Sequence, residues 1–226
     1  MRAQPQFPNE QTGTGEFKRQ SDAFRHWVTE DGRSGYPAAA GRYHLYVSLA
    51  CPWAHRTIIV RALKGLTEVI GMTVVDPIRD DQGWAFHNGP GHSLDTTNGF
   101  HFLSEAYRAT DPNYHGRVTV PVLWDTVTKR IVTNSDDDLM RIFNGEFNRF
   151  TTSLLDLYPA ALRPQIDEMN DFVYERVNDG VYRAGFATSQ QVYERAARSV
   201  FVALDQLDTR LRDRRYLFGA QFVESD

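Results

Sequence analysis

The run Leu49-Ala50-Cys51-Pro52-Trp53-Ala54-His55-Arg56 places a cysteine where a helix begins, directly after an apolar strand-like stretch from Tyr43 to Leu49. A thiol at a helix N-terminus lies among backbone N–H groups that lack intrahelical partners, at the positive end of the helix dipole. Both features favour the thiolate, which is the nucleophilic form. Pro52 suits the first helical position, where no N–H is required. His55 and Arg56 add protonatable or positive charge nearby. The competing reading is a structural cysteine that packs as a small hydrophobe. Cys51 is the only cysteine in the chain. No intrachain disulfide can form, and the position three residues on is Ala54 rather than a resolving cysteine. A mixed disulfide at Cys51 must therefore be resolved by an outside thiol.

The totals narrow the field. The 226 residues carry a net charge of −4 and are 41% hydrophobic and 24% charged, an ordinary globular balance that suits one large domain or two small ones. Nothing in that charge points to nucleic acid or an anionic membrane. The longest apolar runs are strand-sized, far below the roughly 20 residues that span a bilayer. The N-terminus is polar and Gln-rich without an apolar signal core. Together with the single cysteine, this predicts a reducing, cytoplasmic setting. No His, Cys or Glu grouping has metal-ligand spacing, and His87 and His92 read as loop residues.

The elements that must position Cys51 follow from periodicity. Residues 1–40 read as an extended arm. Tyr43–Leu49 reads as a strand, Pro52–Lys64 as a helix that stops at Gly65, and Val69–Val75 as a second strand. Their closeness predicts a parallel βαβ unit with a right-handed crossover. From Asp76 to about Leu103 runs a long insert, and loops of this length are often functional. It carries Trp84, Phe86, Phe100 and Phe102, enough aromatic surface to fold over a pocket. Ser104–Thr110 reads as a short helix. Val118–Trp124 is apolar but holds Pro121, which argues against an ordinary central strand. A cis Val120-Pro121 bond at the strand's start resolves the conflict and turns the Val120 backbone toward a ligand. Lys129–Val132 completes a hairpin. Asn134 or Ser135 caps the next helix, with Asp136, Asp137 and Asp138 in its first turn. After about residue 150 strand-like runs vanish. Leu162–Asp179 and Ser189–Arg214 read as amphipathic helices, the second with Val192, Ala196, Val200, Phe201, Leu204, Leu207 and Leu211 on one face. The expected fold is α/β plus all-α: a thioredoxin-like domain over 41–150, including the insert at 76–103, then a helical domain over 151–226.

At this point the residues resemble a known family, the glutathionyl-hydroquinone reductases or Xi-class glutathione transferases. The resemblance rests on Cys51-Pro52-Trp53-Ala54-His55-Arg56, Trp84, the run Gly116 to Asp125, the run Asn178-Asp179-Gly180-Val181-Tyr182-Arg183-Ala184-Gly185-Phe186-Ala187, and Thr14-Gly15-Glu16-Phe17 in the arm. It implies a thiol-dependent reductase that cleaves thiol-conjugated aromatic hydroquinones, with glutathione as co-substrate and no metal. In such enzymes the cysteine takes the glutathionyl group as a mixed disulfide, the hydroquinone leaves, and a second glutathione regenerates the thiol. By the same resemblance Cys51 is the nucleophile, Trp84 packs on the bound thiol, Arg117 adds charge near it, and Val120 offers its backbone. Tyr182 donates a proton to the leaving carbon; a phenol with its ordinary pKa of about 10 is protonated at neutral pH. Without the resemblance Tyr182 reads as an interior aromatic. The family also implies a homodimer.

The sequence departs from the family in two places. Where the family has Glu-Ser to hold the γ-glutamyl group, this chain has Ser135-Asp136. Asp136 would set a negative charge beside the ligand's carboxylate. At about 4 Å this costs roughly 1 to 4 kcal/mol, or about one to three powers of ten in affinity. Either Ser135 and Asp136 merely cap the helix and glutathione is still used, or the co-substrate is another low-molecular-weight thiol without a γ-glutamyl group, such as a sugar-linked cysteine. The second departure is that the sequence stops at Phe222-Val223-Glu224-Ser225-Asp226, where the family continues into further helices. A truncated helical domain, partly uncovered helix faces, weak activity, aggregation and doubtful dimerisation are the corresponding expectations. Two rivals stand beside the main reading: an omega-like monothiol reductase acting on mixed disulfides or dehydroascorbate, and an inactive thioredoxin-like remnant.

Overall fold

Four strands make one mixed sheet, and the chain's apolar runs supply its centre. In the computed structural model, which describes residues 7–80 and 82–226, β1 is Tyr43–Val47, β2 Gly71–Val74, β3 Val122–Asp125 and β4 Arg130–Thr133, in the order β2-β1-β3-β4. β1 and β2 run parallel with Val47 beside Val74, whereas β3 is antiparallel to both β1 and β4. The helix α1, Pro52–Leu63, is the crossover between β1 and β2. β1 and β3 are the inner strands, and β3 is buried at every position. Pro121 stands just before β3, and the Val120-Pro121 bond is cis, so the proline removes no donor from the ladder.

Two further helices complete this unit, which spans Asp22–Asp156. α2, Leu103–Thr110, packs on β4, and α3, Asp136–Gly145, packs on α1. The far end of α1 is held by its own basic residues. Arg61 donates to the Ile70 and Thr67 carbonyls at 2.8 and 2.7 Å, and the Lys64 ammonium donates to Asn148 Oδ1 and the Leu155 carbonyl at 3.0 and 2.7 Å. The latter half of the predicted arm is not loose. Phe24 to His26 runs along the outer edge of β4, with His26 N–H bonded to the Val132 carbonyl and Asn134 N–H to the Phe24 carbonyl. An edge strand that would otherwise present unpaired backbone groups is thereby covered.

The second unit comprises Met1–Ser21 and Leu157–Asp226; the first six residues of the predicted arm lie outside the described residues. It contains α4 (Arg163–Val173), α5 (Gly180–Gly185) and α6 (Gln190–Leu211). The sequence predicts one helix over 162–179. The structure instead shows α4 passing into a π-helical turn at Tyr174–Asn178, with Asp179 N–H bonded to the Tyr174 carbonyl at 2.8 Å, and then α5. Gly180 does not end the helix. A Cβ there would lie 3.1 Å from Val200 Cγ2, so glycine lets α6 approach closely. The apolar face predicted for α6 is only partly covered. Val192, Val200 and Ala203 are buried, whereas Phe201 is 68% exposed and Leu204 and Leu211 are exposed as well. At about 100° per residue the buried positions fall within one quadrant, and Phe201 points nearly opposite. Among the described residues no helix is long and apolar enough to cross a membrane.

Candidate active site

The sheet's topology brings separate chain stretches to one end. β1 and β2 are parallel, so the chain after Val47, which leads to Cys51, and the insert after Val74 leave the same edge. β3 pairs antiparallel with β1, with Val122 beside Tyr46, so Val120 and Pro121 enter from that end too.

Cys51 is the N-cap of α1, in extended backbone, with Pro52 in the first turn. Its N–H bonds to the Ser48 carbonyl at 3.1 Å, and Ala50 N–H bonds to Ser48 Oγ at 3.3 Å. The sulfur is half-buried and stands 3.6 Å from the Val120 carbonyl oxygen. The Cys51 side chain makes no capping hydrogen bond at the start of α1. Val120 itself is held from behind. Tyr107 Oη donates to the Thr119 carbonyl at 2.9 Å and accepts from Thr119 N–H at 3.2 Å. Burial pushes the Tyr107 phenol up, which keeps it a donor. Asn134 Nδ2 donates to Thr119 Oγ1 at 3.1 Å, while Asn134 Oδ1 accepts from Phe24 N–H at 2.9 Å.

At the start of α3, Ser135 Oγ accepts from Asp138 N–H at 3.4 Å, as a capping residue should. Asp136 is buried, and its carboxylate accepts from Arg56 Nη1 at 2.7 Å; Asp137 accepts from the same nitrogen at 3.0 Å. This changes the electrostatic picture drawn from the sequence. Arg56 does not stand as loose positive charge for the thiol, because its guanidinium is engaged by two carboxylates. Equally, the negative charge expected from Asp136 is countered by that guanidinium. Asp138 turns the other way and takes a two-pronged ion pair from Arg25 at 2.8 and 2.6 Å, which holds the Arg25 guanidinium well above its ordinary pKa.

Trp84 lies in the insert, half-buried, with its carbonyl accepting from Leu103 N–H at 2.9 Å. The Arg79 guanidinium sits 5.1 Å from its ring centroid, within cation–π range. Arg117 is half-buried, and its carbonyl accepts from Tyr114 Oη at 2.8 Å. Tyr182 belongs to the helical unit. It is on α5, half-buried, with its ring stacked on Phe17 at 6.4 Å and tilted against Phe186 at 5.7 Å. Sequence reasoning missed Tyr107 and Arg25 as supports, and nothing in their local spacing marks them; Asn134, read as a candidate cap, instead supports Thr119 while Ser135 caps α3. Among the described residues, no three His, Cys, Asp or Glu side chains gather as a metal site.

A sheet unit of this topology, opening its first helix on a cysteine beside the carbonyl that precedes a cis-proline, with a helical unit after it, has the features of the glutathione transferase class. Residues 50–139 match the family described as glutathione S-transferase, N-terminal domain. The chain is 48% identical over 219 residues to glutathionyl-hydroquinone reductase YqjG of Escherichia coli strain K12, covering 94% of this chain and 67% of that protein. The crystal structure of the glutathione S-transferase Xi from Phanerochaete chrysosporium superposes with a TM-score of 0.89 at 46% identity, covering 92% of this chain and 72% of that one. The glutathione-bound structure of YqjG superposes with a TM-score of 0.87 at 47% identity, covering 89% and 68%. The chain belongs to the Xi-class glutathione transferases, the family of the glutathionyl-hydroquinone reductases. It spans about two thirds of the length of the relatives it matches.

Proposed function

We propose that this chain carries the thiol chemistry of a glutathionyl-hydroquinone reductase. The observation that carries the reading is Cys51 at the N-cap of α1, half-buried and beside the Val120 carbonyl, in a chain 48% identical to a glutathionyl-hydroquinone reductase. The Cys51 thiolate attacks the glutathionyl sulfur of the conjugate. An S–S bond forms and the bond from sulfur to the ring carbon breaks. The electron pair stays on that carbon, which takes a proton and leaves as the hydroquinone. A second glutathione, as thiolate, then attacks the glutathionyl sulfur of the mixed disulfide. Glutathione disulfide departs and the Cys51 thiolate returns. The ring carbon has been reduced by two electrons, and the conjugate's thioether sulfur and the second glutathione's thiol sulfur have each given up one, so the electrons balance without metal or further cofactor.

In this reading Val120 presents its backbone to the cysteinyl part of the thiol, and Trp84 packs on it. Arg117 supplies charge, and Ser135 and Asp136 meet the thiol's far end. Tyr182 is the candidate proton donor. The reducing thiol that closes the cycle points to the cytoplasm, and a homodimer is the proposed state of the whole protein. Turnover of a glutathionyl-hydroquinone by the wild type and by Cys51→Ser tests the reading. Hydroquinone release that is lost in Cys51→Ser is the expected result. Equal release by both would overturn it.

A further inference from the structure

We propose that Tyr46 and Asp95 are positioning residues that hold Trp84 in register with Cys51, and so set the affinity for the thiol. This rests on the reading of Trp84 as the side chain that packs on the bound thiol.

Among its described residues the insert contains neither helix nor strand between Val74 and Leu103, yet its central turn is fixed by one buried carboxylate. Asp95 is 4% exposed. Its Oδ1 accepts from Thr97 N–H at 3.0 Å and from Tyr46 Oη at 3.0 Å. Its Oδ2 accepts from Asn98 N–H at 3.2 Å and Phe100 N–H at 3.1 Å. Three amides and a phenol thus converge on a single side chain. Gly99, at φ 74°, lets the turn close with its own N–H on the Asp95 carbonyl.

The turn leads straight to Trp84. Just past Phe100, the His101 carbonyl accepts from Phe86 N–H, and Leu103 N–H donates to the Trp84 carbonyl, both at 2.9 Å. The backbone on which Trp84 sits is therefore paired to the segment that Asp95 orders. Tyr46 grips the same assembly a second time, because its ring meets Phe86 edge-on at 5.3 Å. Asn98 Nδ2 also donates to Tyr46 Oη at 2.8 Å. Tyr46 lies on β1, the strand that runs on to Cys51. One strand thereby leads through a short turn into the cysteine and, through Tyr46, fixes the loop that bears the tryptophan. Binding elements on a loop keep their geometry only when such supporting contacts hold them.

A merely structural role predicts that loss of the phenol acts independently of Trp84. A positioning role predicts that the two act as a unit. The test is a double-mutant cycle on the KM for glutathione in glutathionyl-hydroquinone turnover, using Tyr46→Phe, Trp84→Ala and the double variant. Asp95→Asn is the second probe of the same turn. Tyr46→Phe keeps the ring against Phe86 and removes only the hydroxyl. We expect Tyr46→Phe to raise KM about fivefold or more, the scale of one lost hydrogen bond. We expect it to leave the alkylation rate of Cys51 by iodoacetamide unchanged, and to add nothing once Trp84 is alanine. If Trp84→Ala leaves KM unchanged, the reading of Trp84 falls and takes this proposal with it. If Trp84→Ala raises KM but Tyr46→Phe and Asp95→Asn do not, or raise it equally in both backgrounds, positioning is overturned while the role of Trp84 stands.

Discussion

Arg56 donates to Asp136 across 2.7 Å, and this ion pair joins α1, which opens on Cys51, to the first turn of α3. Asp136 is buried and Arg56 is 25% exposed at its side chain, so the pair is partly shielded from solvent. Removing one member of such a pair strands a desolvated charge, which costs more than the pair itself contributes. Arg56→Met is expected to destabilise the chain by about 2 kcal/mol or more, and a further Asp136→Asn change to recover most of it. Urea unfolding of the two single variants and the double variant measures this. Strictly additive losses would show that the two side chains are not coupled.

The same pair bears on the choice of thiol. An uncompensated Asp136 would repel a γ-glutamyl carboxylate, whereas one already bridged to Arg56 repels it far less. Glutathione is therefore expected to saturate the enzyme, with Asp136→Ser lowering its KM by less than about tenfold. A comparison of glutathione with cysteine-containing thiols that lack the γ-glutamyl group completes the test. A drop of about a hundredfold or more in Asp136→Ser, together with a marked preference for the other thiols, would contradict the neutralised picture.

Tyr182 separates reduction of a carbon from reduction of a disulfide. If it protonates the leaving ring carbon, Tyr182→Phe should lower hydroquinone release by about a hundredfold to ten-thousandfold, the usual range for general acid catalysis. Reduction of a glutathionyl mixed disulfide needs no carbon protonation and should be spared. Equal loss of both activities would instead assign Tyr182 to packing, through its stack with Phe17.

His44 gives the fold a pH signature. Burial lowers its pKa and the Arg61 charge adds to this, while Asp95 works in the opposite direction. Its ring nitrogens meet Thr73 Oγ1 at 2.8 Å and Thr97 Oγ1 at 3.1 Å. The folded state therefore resists a proton that the unfolded chain accepts near the ordinary histidine value of about 6.5. Stability from this group is complete above that value and declines as pH falls from there through the lower folded pKa. Thermal melts across this range should show the decline, and His44→Gln should flatten it. A variant with the same pH slope as the wild type would remove His44 as the cause.

Much of the sheet unit is legible in the sequence because local signals there agree with tertiary need. Pro52 and Gly65 bracket α1, and a proline inside the apolar run before Trp124 is compatible with β3 only if it stands at the strand's start. Asn134 and Ser135 are both recognisable as candidate caps from type and place, and the structure selects Ser135. What is not legible is what joins residues far apart. The Arg56 and Asp136 pair spans 80 positions, and neither residue's neighbours announce it. The π-helical turn at Tyr174–Asn178 is hidden for another reason: such single-turn bulges sit inside otherwise α-helical stretches, so α4 and the turn read as one helix ending at Asp179, and α5 beyond it is not anticipated. The burial of α6 is likewise decided by which neighbours it meets, not by where its apolar residues lie.

Intact-mass spectrometry after incubation with a glutathionyl-hydroquinone, with chromatography of the small products, tests the central claim most directly. A mass increase of one glutathionyl group, localised to Cys51, with release of an equal amount of free hydroquinone and reversal of the adduct by added glutathione, is the expected result. An unmodified chain with no hydroquinone released, from protein whose Cys51 still reacts with iodoacetamide, would contradict it.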